Sequence, residues 1–118
     1  MAAAPPSGVF FLYPTSMREH ARYPCRVQVR IRIPGQGEFE GEMTDAGMGG
    51  ALIRVRRAIE GAEADVLIPH EQEDVLIRSR VVRKIHSGQG VWLYGVEFEP
   101  HFSERPKLAA IVDKLRRR

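Results

Sequence analysis

A strictly alternating stretch constrains the fold of this chain more than any other feature. Within residues 26–33 every second position is a β-branched apolar residue, and the positions between them are polar. Because successive side chains of a strand point to opposite faces of a sheet, this period predicts a half-buried strand. Residues 34–37 have the composition of a turn, and residues 38–44 alternate again, with a glutamate at every second position from Glu38 to Glu42. The pattern predicts a β-hairpin.

The polar faces of these two strands carry opposite charges. Arg26, Arg30 and Arg32 lie on one strand, and the glutamates lie on the strand that returns beside it. Opposite charges on neighbouring strands attract one another. We therefore interpret the three arginines as part of a paired sheet face rather than as a ligand site.

Further segments have the composition of short strands, separated by glycine-rich or polar turns. They are residues 51–55, 64–69, 74–85 and 91–98. Six antiparallel strands favour a small closed barrel, because closure leaves no exposed sheet edge. The predicted fold class is therefore mainly β.

The end of the chain has a helical pattern. Four apolar residues are spaced to form one face of a helix over residues 103–117: Leu108, Ile111, Val112 and Leu115. The residue type at Ser103 favours an N-cap, and the apolar face should pack on the barrel or close its mouth. The arginines at 116–118 suit the negative end of the helix. The alternative to this role at the helix end is that the three arginines contact phosphate groups or a membrane surface.

A pair of arginines precedes the first strand. Arg18 and Arg22 are four residues apart, in a segment bracketed by Pro14 and Pro24. Residues before proline are disfavoured in helical conformation, so residues 17–24 are predicted to form an irregular loop. A guanidinium group is a planar fork of donors that fits phosphate oxygens and the O6/N7 edge of guanine. The pair is a candidate for binding either group.

An acidic, glycine-rich turn follows the second strand. Asp45 precedes Gly47 and Gly50. An ionised carboxylate only accepts hydrogen bonds, and it can take them from N1–H and the amino group of a guanine. The glycines allow a ligand to approach the backbone closely. The turn and the arginine loop together suggest a site for a guanine nucleotide.

These motifs resemble the paired RxxxR and (D/N)xSxxG motifs of PilZ domains, bacterial receptors for cyclic di-GMP. In this sequence the motifs read Arg18-x-x-x-Arg22 and Asp45-x-Gly47-x-x-Gly50. Residues 49–53 (GGALI) and 94–98 (YGVEF) also resemble the family, and the resemblance covers residues 18–100. One position departs from the pattern, since the serine of the family is Gly47 here.

The resemblance implies a six-stranded antiparallel PilZ-like β-barrel with a C-terminal α-helix. It divides the chain into a flexible leader and one PilZ-like domain. The leader is 1–16 and the domain 17–118, with the ligand-binding loop at 17–24, the barrel at 26–98 and the helix at 103–117.

The resemblance also implies a second-messenger receptor and not an enzyme. Cyclic di-GMP would be held by five residues, Arg18, Arg22, Asp45, Gly47 and Gly50. Ordering of the N-terminal segment on the ligand would relay the signal to an unidentified protein effector. The missing serine hydroxyl weakens the site by about 1 kcal/mol. A basic residue before the first arginine accompanies binding of a ligand dimer in this family, and Met17 at that position indicates one ligand per domain.

Two other functions remain open at this stage. A PilZ-like adaptor that binds no nucleotide would act through protein contacts, and Gly47 is the feature in its favour. A barrel that binds single-stranded nucleic acid needs aromatic residues interleaved with basic ones. Trp92 and Tyr94 share a face, but no arginine or lysine alternates with them. We interpret both as barrel wall, and we expect no DNA or RNA partner.

Other classes of function have no support in the sequence. The four histidines share no metal-ligand spacing, and no phosphate-binding loop or nucleophile elbow is present. Cys25 is the only cysteine, which excludes an internal disulfide, and we interpret it as a small core residue. No catalytic residue, metal site or cofactor is predicted.

Nothing resembles a membrane span or a signal peptide, which predicts a cytoplasmic protein without membrane insertion. The apolar residues 10–13 are a surface clamp or a patch for a partner.

Overall fold

The computed structural model describes residues 21–117, which form six strands, one 3-10 turn and one helix. The strands are β1 (Tyr23–Ile33), β2 (Gly37–Ala46), β3 (Gly50–Val55), β4 (Glu63–His70), β5 (Glu73–Gly88) and β6 (Val91–Phe98). The 3-10 turn (Phe102–Glu104) leads into helix α1 (Arg105–Arg116). The six predicted strands and the C-terminal helix are confirmed.

The strands form a closed antiparallel barrel in the order β1-β2-β3-β6-β5-β4. Closure requires β1 to pair with β4, and this ladder contains only the C-terminal part of β1: Arg30 faces Leu67, Ile31 faces Val66, and Arg32 faces Asp65. The other closing contact, β3 with β6, extends along the whole of β3. The mainly β, closed-barrel fold class is confirmed.

Alternation along the first hairpin separates core from surface as predicted. Val29, Ile31 and Ile33 are at most 3% exposed and belong to the hydrophobic core. On the outer face, Glu38 Oε1 lies 2.9 Å from Arg30 Nη1, and Glu38 Oε2 lies 2.8 Å from Arg32 Nη2. The paired arginine and glutamate faces are therefore confirmed. Exposed pairs of this kind contribute little stability each, so burial of the inner face holds the hairpin in place.

The C-terminal helix buries its apolar face against the barrel. Its four buried residues belong to the same core cluster as the strands: Leu108, Ile111, Val112 and Leu115. The helix begins at Arg105 rather than at 103, so the prediction of Ser103 as its N-cap is wrong. Ser103 lies inside the 3-10 turn, where Oε1 of Glu104 accepts the backbone N–H of His101 at 3.0 Å. The glutamate stabilises this turn, and the helix starts one residue after it.

The first strand starts earlier than the sequence indicates. Tyr23 and Pro24 pair with Ala46 and Asp45, so the last two residues of the predicted loop 17–24 belong to β1. Proline is tolerated there because the register shifts just beyond it, before Val27. Residues 1–20 lie outside the described residues, and with them lie the predicted leader, the apolar residues 10–13 and Arg18.

A buried tyrosine attaches the connection between β3 and β4 to the barrel. The side chain of Tyr94 is 1% exposed, and its hydroxyl accepts the backbone N–H of Ile59 at 2.7 Å and donates to the carbonyl oxygen of Arg57 at 3.3 Å. Trp92 packs partly against the core and stacks on His86, with ring centroids 4.4 Å apart. The interpretation of both aromatic residues as barrel wall is confirmed.

Candidate functional site

The antiparallel pairing of β1 with β2 brings the two motifs together. Tyr23 is opposite Ala46, so the residue before the strand, Arg22, falls beside the turn that ends β2. Nη1 of Arg22 donates to Oδ1 of Asp45 at 2.8 Å. The two side chains are 34% and 31% exposed, respectively, so this ion pair faces solvent and is accessible to a ligand.

The turn between β2 and β3 is held by backbone hydrogen bonds. The N–H of Gly47 donates to the carbonyl oxygen of Gly50 at 2.9 Å, which closes the turn. The N–H of Phe98 donates to the carbonyl oxygen of Gly49, also at 2.9 Å, which attaches the turn to the end of β6. A register shift between Met43 and Asp45 lies just before the turn. Such irregularities often re-aim a side chain next to a functional site, and here the affected side chain is the carboxylate.

Both motif glycines are required by close approach of other backbone atoms. A β-carbon on Gly47 would overlap the carbonyl oxygen of Ala21, and one on Gly50 would overlap the carbonyl oxygen of Val96. The same position above Gly50 is 3.2 Å from Nη2 of Arg22. Glycine at 47 is therefore more than a missing hydroxyl, because it allows the chain before β1 to cross the turn.

The arrangement can bind an anion and a hydrogen-bond donor at the same point. One guanidinium nitrogen of Arg22 contacts Asp45, and the other lies over Gly50. Guanidinium donors suit phosphate oxygens, and the carboxylate can accept N–H groups of a base. Helix α1 also lies against β1, the strand that follows Arg22.

Four of the five predicted site residues are brought together: Arg22, Asp45, Gly47 and Gly50. Arg18 lies outside the described residues. Sequence reasoning missed the backbone of Ala21 and Val96, whose carbonyl oxygens define the space above the two glycines. A backbone carbonyl has no residue type of its own, so no sequence signal could have identified either.

Within residues 21–117, no three histidine, cysteine, aspartate or glutamate side chains are grouped in a way that could hold a metal ion. None of the helices in this part of the chain combines the length and the apolar composition that crossing a membrane requires.

The sequence matches the PilZ domain family over residues 16–114. A similar solved structure is the PilZ domain of CeSA from a cellulose-synthesizing bacterium, with 18% identity, a TM-score of 0.61 and coverage of 81% of this chain and 98% of that chain. The PilZ domain of YcgR from Escherichia coli, solved with cyclic di-GMP, has 13% identity, a TM-score of 0.61 and coverage of 85% and 92%.

The inhibitor of motility MotI (DgrA) from Bacillus subtilis is also similar, with 16% identity and a TM-score of 0.59. The match covers 82% of this chain and 49% of MotI, so this chain spans about half of that protein. No protein of curated function matches the sequence. At these identities the structural likeness concerns the fold.

Proposed function

Because the chain belongs to the PilZ domain family, a family of receptors for cyclic di-GMP, we propose that it binds this dinucleotide through its two motifs. The site would consist of Arg18, Arg22, Asp45, Gly47 and Gly50. The observation that supports this proposal most directly is the contact between Arg22 and Asp45, at 2.8 Å, across 23 positions of sequence. The folded chain thus places the arginine of one motif on the carboxylate of the other, at the surface.

The chemistry of each group fits one part of the ligand. The guanidinium of Arg22 would donate to a phosphate oxygen or to the O6/N7 edge of a guanine, and Asp45 would accept N1–H and the amino group of a base. The backbone at Gly50 leaves room for the ligand to approach. Arg18 would add a second guanidinium from the preceding segment.

The ion pair within the site does not prevent binding. An exposed pair is worth about 0.2–1 kcal/mol, whereas a hydrogen bond to a charged group contributes about 1.5–3 kcal/mol. It is therefore favourable for one guanidinium nitrogen of Arg22 to release the carboxylate of Asp45 and to donate to a ligand phosphate instead. The pair also keeps Arg22 over the turn before the ligand arrives, which lowers the entropic cost of binding.

Gly47 reduces the affinity of the proposed site without removing it. The serine hydroxyl of the family pattern would supply one neutral hydrogen bond, and its absence costs about 1 kcal/mol, or roughly fivefold in affinity. Charge-assisted contacts from two arginines and one aspartate outweigh this loss.

The proposed output is a change in the segment before Ala21. Arg22 adjoins the first strand, whereas Arg18 lies farther back along the chain. Drawing both arginines onto one ligand would order the segment that carries them and would create or hide a surface for a protein effector. The receptor would need no cofactor and no catalysis, and its proposed location is the cytoplasm.

Calorimetric titration with cyclic di-GMP tests the proposal. We expect micromolar or tighter binding, no binding of GTP, and an affinity at least about tenfold lower in Arg22→Ala, because a charge-assisted contact is lost. The matched control is Arg26→Ala. Arg26 pairs with Glu42 at 3.3 Å and is 84% exposed, so its removal should leave the affinity unchanged.

A PilZ-like adaptor that binds no nucleotide is the second candidate function. The observation in its favour is that the carbonyl oxygen of Ala21 already fills the space above Gly47. Absence of any heat at high ligand concentration, for a protein shown to be folded, would reject the receptor and leave the adaptor. Equal losses of affinity in Arg22→Ala and Arg26→Ala would reject the assignment of the site.

A further inference from the structure

Among the described residues, the second half of β5 pairs with a neighbouring strand on one side only. The ladder with β4 ends where Glu63 faces Arg80, and the last contact on that side is the N–H of Val81 with the carbonyl oxygen of Ala62 at 2.7 Å. On the other side, the ladder with β6 continues as far as Gly88. Within residues 21–117, residues 82–88 thus have a neighbouring strand on one side only. We name this segment the β5 edge.

The β5 edge displays apolar side chains to solvent. Val82 is 56% exposed and Ile85 is 39% exposed, and both belong to the small set of exposed large apolar residues. A register shift between Val81 and Arg83 turns Val82 out of the regular ladder. An exposed strand edge with apolar side chains is a template on which a further strand can pair.

The strand segment that carries this edge is basic. No aspartate or glutamate occurs between Asp74 and Glu97, whereas the same stretch contains four arginines or lysines and one histidine. Arg80 already pairs with Glu97 at 2.6 Å. Arg83 and Lys84 belong to the β5 edge itself, and Nζ of Lys84 donates to the carbonyl oxygen of Ile59 at 3.3 Å. Arg83 is thus the charge that most directly favours an acidic strand alongside.

We propose that the β5 edge binds an extended, acidic segment of a protein partner, which adds a strand to the sheet. Backbone hydrogen bonds would supply affinity, and the alternation of acidic and apolar residues would supply specificity. In an alternating strand, acidic residues would lie on the face of the sheet that carries Arg83, and apolar residues would lie on the other face, beside Val82. The β5 edge shares no residue with the proposed nucleotide site, and its proposed role does not depend on nucleotide binding.

Two other occupants fit the edge less well. A second copy of the chain would place the arginine and lysine of one edge beside those of the other, and like charges across a strand pair are destabilising. A single-stranded nucleic acid would need an aromatic face for its bases. Trp92 meets this need poorly, because it is half-buried and is already stacked on both His86 and Tyr94, with ring centroids 4.4 Å and 6.2 Å away.

Backbone amide exchange with a designed peptide tests this proposal. The probe is a capped ten-residue peptide of alternating glutamate and valine, and its control replaces every glutamate with lysine. We expect the glutamate peptide to slow exchange at least about fivefold for several amides of residues 82–88, and the lysine peptide to have no effect. Arg83→Glu should abolish the protection, whereas Arg78→Glu, on the paired half of β5, should retain it.

A second variant distinguishes loss of peptide binding from loss of the fold. Arg83→Gln keeps a polar side chain at this position and removes its charge, so it should weaken peptide binding about threefold or more while leaving exchange elsewhere unchanged. No protection at millimolar peptide, equal protection by the lysine peptide, or protection by oligothymidylate instead would overturn the proposal. Self-association of the protein without peptide, slowing exchange at the same amides, would also overturn it.

Discussion

The carbonyl oxygen of Ala21 fills the space in which a β-carbon of residue 47 would lie. This contact joins the segment that precedes β1 to the turn that follows β2, and it places Arg22 next to Asp45. The glycine at this position therefore helps to set the geometry of the proposed site, beyond any hydroxyl that it lacks.

Replacement of that glycine should displace the neighbouring chain. In Gly47→Ala the new methyl group must push Ala21 away, so we expect faster amide exchange at Arg22 and a loss of about 1 kcal/mol in the free energy of unfolding. The control is Gly35→Ala. Gly35 has open space around it but a φ of +77°, so its replacement should cost similar stability without changing exchange at Arg22. Unchanged exchange in Gly47→Ala would contradict the close contact.

The contact between Arg22 and Asp45 should be weak in the absence of ligand. In a double-mutant cycle with Arg22→Ala and Asp45→Ala, we expect a coupling energy of about 0.2–1 kcal/mol in urea unfolding at low salt. The coupling should decrease in molar salt, because both side chains are accessible to ions. A salt-independent coupling above about 2 kcal/mol would mean that the ion pair is too stable for a ligand phosphate to displace Asp45 from Arg22.

Removal of the Tyr94 hydroxyl should destabilise the barrel. Ile59 is 3% exposed and its N–H donates to this hydroxyl. Tyr94→Phe leaves that buried N–H without its partner, which costs about 1–3 kcal/mol in the free energy of unfolding. Denaturant titration measures the change, with Tyr23→Phe, at a half-buried position, as control. Equal stability of Tyr94→Phe and the native protein would show that water or a shifted backbone satisfies Ile59.

Acid should remove the contribution that the ion pairs on the outer face of the first hairpin make to the stability of the fold. The hydrogen bond from Arg32, with the nearby charge of Arg30, lowers the pKa of Glu38 below its ordinary value of 4.5. A carboxyl group whose pKa is lowered by folding adds to the free energy of unfolding at pH values above its ordinary pKa. This contribution is lost as the pH falls through the lower pKa of the folded state.

The acid dependence can be assigned with two variants. We expect the decrease in stability below pH 4.5 to be shallower in Glu38→Gln, because that variant has no such proton to bind. Glu40→Gln, on the same face of β2, should retain more of the native slope. If both variants had the native slope, Glu38 would not contribute to the acid dependence.

Much of the fold follows from local patterns in the sequence. Alternation of apolar residues determined the strands, because burial of one face of each strand is the largest stabilising term. The start of the helix was less predictable, since Ser103 has the usual residue type for an N-cap but lies in a 3-10 turn that Glu104 stabilises through its hydrogen bond to His101. The start of β1 was also missed, because proline normally argues against a strand and Pro24 is tolerated only beside an irregularity.

The candidate site was predictable in its residues but not in its geometry. The resemblance implied that Arg22 and Asp45 belong to one site, and the barrel brings them into contact. The overlap of a residue-47 side chain with Ala21 arises from two segments that are distant in sequence, and it involves a backbone atom. Periodicity and residue type contain no information on such contacts, so the reason for glycine at 47 emerged only from the folded chain.

The short β1–β4 ladder has a consequence for the order of folding events. Its three paired positions, beginning at Arg30 and ending at Arg32, join strands that are distant in the chain. Both this ladder and the β3–β6 ladder require closure of a long loop, but the β1–β4 ladder offsets that entropic cost with only three pairs, against six in the β3–β6 ladder. We expect this seam to seal last and to open first in the native state, so that the backbone amides of 65–67 exchange by local opening before those of β3. Exchange of both groups only through global unfolding would contradict it. With the expected result, the closed barrel behaves as a curled sheet that opens along the β1–β4 ladder.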